Sequence, residues 1–287
     1  MTSDLLGARR IGELLERYDV HLKKSLGQNF VIDPNTIRKV IDAADLVRDD
    51  VALEVGAGAG SLTVGLASRA KRVVAFEVDR RLIPILAETV GDLSNVEVVM
   101  ADALTAPLSR YRATKVVANL PYNVATLVVL RVLEEMPTVS RLTVMTQREV
   151  GERLSGRPDS ASYGRSSVAV AYHGSARVAG SVSRRAFFPV PNVDSVIVVI
   201  DRTPRAPDDP SAADVKQVVA AAFAHRRKAV RNNLGPLAGS TDRAANILER
   251  VGVPSGARAE HIDPETYVRI AGLIHETTAP GPAAPTF

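Results

Sequence analysis

The chain of 287 residues contains no cysteine and no long apolar run. Without cysteine there is no disulfide, no thiolate metal site and no cysteine nucleophile, and we predict no bound metal. The first twenty residues are rich in charge, and no later segment supplies the roughly 20 consecutive apolar residues that a membrane-spanning helix needs. We therefore expect a soluble, cytoplasmic protein with no membrane partner.

The net charge is only +4, but it is distributed unevenly along the chain. Residues 141–235 contain 15 basic and 8 acidic residues, whereas the rest of the chain contains 21 basic and 24 acidic residues. A basic half on a nearly neutral chain favours a surface for polyanions. The alternative interpretation is a solvated, arginine-rich surface without such a partner.

Short apolar segments alternate with helical patterns through the first half of the chain. Strands are predicted at 51–55, 72–77, 96–100, 115–118 and 142–146, and helices at 34–46, 60–70, 79–90 and 125–136. This alternation is typical of an α/β fold with a parallel, doubly wound sheet, the Rossmann-like arrangement. Ligands of such sheets bind at the carboxyl ends of the strands.

The pattern changes after residue 145. Residues 178–182 and 193–200 are rich in β-branched side chains and predict an antiparallel hairpin at the edge of the sheet, and residues 202–211 form a proline-rich linker. Helical patterns then follow at 212–224, 241–251 and 264–274. We predict a first domain at 1–203, a small all-helical domain at 204–276 and a disordered tail at 277–287.

A glycine-rich segment, EVGAGAG at residues 54–60, lies between the first predicted strand and the helix after it. Its spacing differs from the dinucleotide fingerprint G-x-G-x-x-G, and the chain has no P-loop. Glu77 and Asp102 end the next two strands, where they can accept hydrogen bonds from ribose hydroxyls and from an adenine amino group. Each feature alone indicates only a tight turn or a helix cap. Together they favour an adenosyl ligand, and S-adenosylmethionine fits the shortened glycine spacing.

The segment NLPY follows the strand at 115–118 and combines a carboxamide, a rigid turn at Pro121 and an aromatic face. The amino group of a purine is a poor nucleophile because its lone pair is drawn into the ring. The Asn119 Oδ1 and the Leu120 carbonyl can accept from such a group, and Tyr122 can stack on a flipped-out base. Asp79, by contrast, is predicted only to cap the helix that follows it.

Several segments together resemble the ribosomal RNA adenine dimethyltransferases, specifically the bacterial type that modifies small-subunit 16S RNA. The resemblance covers about residues 23 to 233. It rests on LGQNF (26–30), EVGAGAG, Glu77, Asp102, NLPY, QREV (147–150), FFPVPNVDS (187–195) and FAHRRKAVRNNL (223–234).

This resemblance implies an S-adenosylmethionine-dependent methyltransferase domain followed by a helical RNA-binding domain. The cofactor-binding residues that we predict are Gln28, Asn29, Val31, Glu54, Gly56, Gly58, Glu77, Asp102, Ala103 and Asn119. Val31 departs from the leucine usual in the family, and Leu127 replaces a frequent proline. The implied product is N6,N6-dimethyladenosine at two adjacent adenosines near the 3′ end of 16S RNA. The implied partner is that RNA within a pre-ribosomal particle, bound by a monomer.

The resemblance also assigns residues that hold the RNA. Phe187 is the expected second wall of the base clamp, opposite Tyr122. Arg226, Arg227, Lys228 and Arg231 are expected phosphate contacts, which position an RNA without reading its sequence. Lys23 and Lys24 are expected in a segment that orders over cofactor and RNA. For each aromatic or basic residue alone, core packing or a solvated surface is the competing interpretation.

Three other functions compete. A related resistance enzyme dimethylates large-subunit RNA, although Leu120, Asp194 and the segment RRKAVRNNL favour the small-subunit type. A ribosome-assembly or transcription factor could keep the fold without catalysis, but the complete set of Glu77, Asp102 and NLPY argues for activity. A DNA adenine methyltransferase is disfavoured because the chain has no evident module for reading DNA sequence.

Overall fold

The computed structural model describes residues 5–22 and 28–278. The helices in these residues are α1 (Ala8–Arg17), α2 (Pro34–Ala44), α3 (Ser61–Ala67), α4 (Ile83–Val90), α5 (Ala125–Glu135), α6 (Arg148–Leu154), α7 (Arg165–His173), α8 (Ala212–Ala222), α9 (Val230–Ala238), α10 (Thr241–Arg250) and α11 (Pro264–Thr278). The strands are β1 (Phe30–Val31), β2 (Val51–Val55), β3 (Arg72–Glu77), β4 (Val96–Met100), β5 (Lys115–Asn119), β6 (Arg141–Gln147), β7 (Gly174–Val182), β8 (Phe187–Phe188) and β9 (Ser195–Arg202).

A seven-stranded sheet has the strand order β4-β3-β2-β5-β6-β9-β7. The strands β2 to β6 pair in parallel, whereas β9 pairs antiparallel with both β6 and β7. This arrangement confirms the predicted α/β fold with a parallel sheet. The central strands are largely apolar because helices cover both faces of such a sheet, as the buried run from Val73 to Phe76 illustrates.

Local signals position the helices around this sheet. Asp33 caps α2 by accepting from the backbone N–H groups of Asn35 and Thr36, with Pro34 in the first turn, as the sequence predicts. Asp79 accepts from the backbone N–H of Arg81 and so caps the 3₁₀ turn that leads into α4. These caps fix where the chain leaves each strand end, and the strand ends carry the site.

The described chain divides into two compact units. The first comprises the described residues up to Ser155 together with Gly174–Thr203, and the second comprises Gly156–His173 and the described residues from Pro204 onward. The segment 156–173, which the expected boundary at 203 assigns to the first domain, therefore lies in the helical unit. The physical reason is burial, because Tyr163 and Val168 pack in the core of that unit and the Tyr163 hydroxyl donates to the Ile262 carbonyl at 2.7 Å.

The helical unit has its own apolar core, to which α11 contributes five buried side chains and α8 four. Ser211 and Asp214 form a capping box at the start of α8. The last helix extends to Thr278, and the remainder of the expected disordered tail lies outside the described residues. No helix in the described residues is both long and apolar enough to cross a membrane.

Candidate active site

A cavity of about 250 Å³ lies in the first unit where the parallel strands β2 to β5 end. Eleven of the residues predicted from the sequence line this cavity, and they come from four strand ends and the N-terminal segment. They are Gln28, Asn29, Gly56, Gly58, Glu77, Asp102, Ala103, Asn119, Leu120, Pro121 and Tyr122. The structure therefore brings the glycine loop, the two carboxylates and the NLPY segment together at one edge of the sheet.

The glycine loop forms one wall of this cavity with backbone alone. Gly56 and Gly58 both have positive φ angles, of 80° and 60°, which favour glycine. A Cβ atom at Gly58 would lie 2.9 Å from the ring of Phe30, so a side chain does not fit there. The loop thus presents a cradle that a ligand can approach closely, and the residues present fit an adenosyl group at this position.

Glu77 is held at the end of β3 by three backbone N–H groups. Its Oε2 accepts from Gly58 at 2.8 Å, and its Oε1 accepts from Val78 and from Asp79 at 2.9 Å each. Burial raises the pKa of this carboxyl, and the three backbone hydrogen bonds oppose that rise. Oε1 uses both of its lone pairs in these bonds, whereas Oε2 keeps a second lone pair with which Glu77 can still accept from a hydroxyl group of a ligand.

Asp102 is oriented in a similar way, because its Oδ1 accepts from the backbone N–H of Leu104 at 2.8 Å. The loop that carries Asp102 is fixed by Arg131 of α5, a residue that the sequence analysis does not identify. Arg131 donates to the carbonyls of Ala103 at 2.6 Å and Ala106 at 2.8 Å. No sequence signal points to Arg131, because its partners lie 25 and 28 residues away.

The NLPY segment is anchored at both of its polar side chains. The Asn119 Nδ2 donates to the Asn29 carbonyl at 2.8 Å, which fixes the carboxamide and leaves its Oδ1 as the acceptor for a ligand. The Tyr122 hydroxyl lies 3.1 Å from the Ser195 Oγ, and the ring lines the cavity. Burial raises the pKa of Tyr122, with the Ser195 hydrogen bond opposing it. The arrangement can present an acceptor and an aromatic face to a planar base.

A second group of bonds joins the N-terminal segment to the turn after β3. Gln28 Nε2 donates to the Asp79 Oδ2 at 2.7 Å, and Arg81 donates to both carboxylate oxygens of Asp79. Arg81 also donates to the His21 carbonyl at 2.8 Å. The sequence analysis assigns Asp79 only a capping role, and that role is confirmed. The bond to Gln28 is additional, and the separation of 51 residues hides it from the sequence.

Three predicted residues do not reach the cavity. Val31 is buried in the apolar core. Glu54 is 1% exposed below the glycine loop, where its Oε2 accepts from the Thr63 hydroxyl at 2.6 Å. Burial raises the pKa of Glu54 to about 8; the Thr63 hydrogen bond opposes this rise and the charge of Glu77 adds to it. Val31 and Glu54 thus support the walls of the cavity, Val31 through core packing and Glu54 through the position of the glycine loop.

Phe187 is the third, and its expected role as the second wall requires a correction. Its side chain is 0% exposed and packs in the core, whereas the neighbouring Phe188 is 47% exposed. Side chains alternate along a strand, and β8 pairs Phe187 with Val31 and Phe188 with Phe30. Phe30 lines the cavity. Phe188 is therefore the exposed ring on the face of the ladder that Phe30 occupies, although it is not among the residues that line the cavity.

The predicted RNA contacts lie in the second unit as far as the structure describes them. Arg226, Arg227 and Lys228, which we call the basic turn, are exposed between α8 and α9, and the exposed Arg231 follows in the first turn of α9. Lys228 N–H donates to the His225 carbonyl and closes the turn. Lys23 and Lys24 lie outside the described residues.

The sheet order, the glycine cradle and the acidic strand ends define a Rossmann-like methyltransferase of the S-adenosylmethionine-dependent class. The sequence profile of the family named ribosomal RNA adenine dimethylase matches residues 20–276. The chain therefore belongs to this family.

Individual relatives agree with this placement. The ribosomal RNA small subunit methyltransferase A of Thermobifida fusca (strain YX) is 43% identical over 273 residues, covering 93% of this chain and 95% of the relative. The protein of the same name from Geobacillus thermodenitrificans (strain NG80-2) is 39% identical over 287 residues, covering 96% and 98%.

Two solved structures share the fold. A dimethyladenosine transferase from Plasmodium falciparum matches with a TM-score of 0.74 at 22% identity, covering 83% of this chain and 94% of that one. The 23S rRNA methyltransferase ErmE matches with a TM-score of 0.66 at 28% identity, covering 86% and 99%.

Proposed function

We propose that this protein transfers methyl groups from S-adenosylmethionine to N6 of two adjacent adenosines near the 3′ end of small-subunit 16S RNA, giving N6,N6-dimethyladenosines. The observation that carries the proposal is the fixed carboxamide of Asn119, bonded to Asn29 at the edge of a cavity that also contains Glu77 and Asp102. The small-subunit substrate is supported by the relatives named small subunit methyltransferase A, at 37% to 43% identity.

The cofactor supplies an electrophilic methyl group when it is bound. We assign a ribose hydroxyl to Glu77 and the adenine amino group to Asp102, because both carboxylates line the cavity with their orientation fixed by backbone N–H groups. The glycine loop contributes a backbone wall with no side chain at Gly58. The protein thus binds and orients the donor chiefly with groups that are already hydrogen-bonded in place.

Asn119 and Leu120 are the groups that act on the target base. In the first transfer, the Asn119 Oδ1 and the Leu120 carbonyl accept hydrogen bonds from the two N–H groups of N6, which holds the nitrogen pyramidal and directs its lone pair toward the methyl donor; in the second transfer one N–H remains to be held in this way. Proton loss follows once the nitrogen has four bonds and carries a positive charge, so water suffices as the acceptor. The rate enhancement then comes from positioning and from electrostatic stabilisation of that developing charge.

The target base must leave its stack to reach these acceptors. Tyr122 forms one wall, since its ring lines the cavity and its hydroxyl is anchored by Ser195. We assign the second wall to Phe188, because its ring is exposed on the same face of the β1–β8 ladder as Phe30. Stacking of this kind contributes about 1 to 3 kcal/mol per base.

RNA binding is assigned to the basic turn and Arg231, whose exposed side chains can reach phosphate oxygens. Contacts of this type position an RNA and make its binding salt-dependent. The expected substrate is the RNA within a pre-ribosomal particle, engaged by a monomer.

Primer extension on both ribosomal RNAs tests the substrate. Ribosomal subunits that lack dimethyladenosine are incubated with the protein and S-adenosylmethionine, and reverse transcription is stopped by the dimethylated bases. We expect a new stop near the 3′ end of 16S RNA and none in 23S RNA. A stop in 23S RNA alone would instead support a 23S rRNA methyltransferase, the activity by which ErmE is named.

A further inference from the structure

The turn after β3 contains an aspartate with more bonds than a helix cap requires. One oxygen of Asp79 accepts from the backbone N–H of Arg81, and this bond alone completes the cap. The other oxygen accepts from Gln28 and from the Arg81 guanidinium. Among the described residues, the side chain of Asp33, the cap of α2, accepts only from Asn35 and Thr36, which are its own neighbours in sequence. Asp79 therefore joins its turn to a residue 51 positions away in the sequence, in addition to capping a helix.

The extra bonds of Asp79 lead directly to the acceptor of the target base. Gln28 donates to Asp79 at 2.7 Å, and the next residue, Asn29, offers its carbonyl to the Asn119 Nδ2 at 2.8 Å. Gln28 and Asn29 are adjacent in the chain, and only the peptide unit between them and the Asn29 Cα separate the Gln28 Cα from the Asn29 carbonyl, so the position of that carbonyl depends on where Gln28 is held. Asp79 thus restrains Asn119 through two hydrogen bonds and the short stretch of backbone from Gln28 to Asn29.

Arg81 strengthens the same restraint from the other side. Its guanidinium donates to both oxygens of Asp79 and also to the His21 carbonyl, so it ties residue 21 to the turn that holds Gln28. The hydrogen bonds from Arg81, ahead of the one from Gln28, lower the pKa of the Asp79 carboxyl to about 2 against the opposing effect of burial. The carboxylate is therefore ionised, and it remains an acceptor for Gln28, throughout the physiological pH range.

We propose that Asp79 and Arg81 are positioning residues for methyl transfer, which set the orientation of the Asn119 carboxamide through Gln28 and Asn29. This inference rests on the proposed function of Asn119 and extends it to residues that do not touch the base. A positioning role predicts that disrupting the bond between Gln28 and Asp79 slows methyl transfer by a larger factor than it weakens cofactor binding. Misplacement of a reacting group by about 1 Å can lower a rate on the order of a hundredfold.

The test uses Asp79→Asn. The asparagine side chain keeps one oxygen for the cap, but its NH₂ group takes the place of the oxygen that accepts from the Gln28 side-chain amide. We expect the rate of methyl transfer at saturating RNA and cofactor to fall at least about tenfold. The dissociation constant for S-adenosylmethionine, measured by calorimetry, should change by a smaller factor than the rate, since Glu77 and Asp102 are unchanged and only Gln28 of the cavity lining loses a bond. Asp33→Asn makes the same chemical change at the other cap and should alter neither quantity.

A reversed hydrogen bond provides the rescue. Adding Gln28→Glu to Asp79→Asn restores a donor–acceptor pair with the roles exchanged and the summed charge conserved, so we expect the rate to recover at least about threefold. Arg81→Gln is a milder second variant at a side chain that is 30% exposed. It should slow transfer by less than Asp79→Asn does, with cofactor affinity again changed by a smaller factor than the rate.

A readout that does not depend on activity separates this inference from the proposed function. In ¹⁵N-labelled protein, the side-chain amide protons of Asn119 should exchange faster with solvent in Asp79→Asn than in the wild type, should be unaffected by Asp33→Asn, and should slow again in the double variant. Unchanged exchange, or a rate loss matched by weaker cofactor binding, overturns the positioning role. Wild-type protein that fails to methylate 16S RNA while showing the expected exchange pattern would contradict the proposed function only.

Discussion

The polar side chains of the cavity in the first unit are fixed by hydrogen bonds, whereas those of the basic turn in the second unit are exposed. Glu77 and Asn119 are fixed by hydrogen bonds to the backbone at 2.8 to 2.9 Å. Arg226, Arg227 and Lys228 are exposed, and within the described residues they form no ion pair. Fixed acceptors suit chemistry that depends on geometry, whereas exposed cations suit attraction to a phosphate backbone. The difference predicts that the two regions control different measurable quantities.

Asn119→Ala should produce the largest effect, because it removes the acceptor that the cavity holds in place. We expect methyl transfer to fall by about 100-fold to 1,000-fold, comparable to the loss of one positioned polar group in other active sites. RNA affinity in a filter-binding assay should remain within about twofold. Asn35→Ala, at an exposed asparagine of α2, is the matched control and should change neither. Turnover retained by Asn119→Ala would remove the distinction between the two regions.

The triple variant Arg226→Ala, Arg227→Ala and Lys228→Ala should have the converse effect. RNA affinity should fall, and the slope of log affinity against log salt should become shallower by about 1 for each phosphate that is no longer bound. The rate at saturating RNA should stay near the wild-type value. Arg250→Ala removes an exposed cation from α10 in the same unit and should leave the salt slope unchanged. An unaltered slope in the triple variant would show that the basic turn does not bind RNA.

Phe187 and Phe188 sharpen the comparison within the first unit. Phe188→Ala should lower methyl transfer by about 5-fold to 150-fold, corresponding to about 1 to 3 kcal/mol of lost stacking, without a change in stability. Phe187→Ala should destabilise the fold by about 3 to 5 kcal/mol, because it empties a fully buried position. Urea denaturation and kinetics on both variants separate these roles. If Phe188→Ala lowered the stability of the fold without slowing methyl transfer, Phe187 would again be the residue expected to stack on the target base.

Glu54→Gln should have the smallest effect, and it concerns stability. The folded protein keeps the Glu54 proton up to about pH 8, whereas the unfolded chain releases it near 4.5. The folded state therefore binds more protons between these values, and stability falls as the pH rises through that window. The glutamine of the variant does not ionise, so its folded state avoids this pH-dependent loss of stability. The free energy of unfolding of the variant relative to that of the wild type should therefore rise from about pH 4.5 to pH 8, by a few kcal/mol at most. The control is Glu149→Gln at an exposed site of α6, and an equal trend there would contradict the assignment.

The strand ends of the site were predictable because burial makes the parallel strands largely apolar. β2, β3 and β4 begin and end where the sequence predicts, which places Glu77 and Asp102 correctly at the edge of the sheet. The helices α1, α6, α7 and α9 were not predicted. Pro236 inside α9 conceals its periodicity, and α7 lies in a segment of weak amphipathicity.

Other parts of the site depend on contacts between distant residues. Two adjacent phenylalanines give no sign of which one faces the core, and only the pairing of β8 with β1 decides it. The partners of Asp79 and Arg131 are separated from them by 51 and by 25 to 28 residues. A single sequence contains no information on such pairs, so the residues that hold the site in shape were missed although most residues that line it were found.

Mass spectrometry of 16S RNA tests the central claim most directly. Small subunits that lack the modification are incubated with the protein and with S-adenosylmethionine carrying a deuterated methyl group, and the RNA is digested to nucleosides. The account predicts N6,N6-dimethyladenosine with two labelled methyl groups on each of two adjacent adenosines near the 3′ end, and none with Asn119→Ala. Label on another base, or an RNA without label in the presence of the wild-type protein, would contradict it.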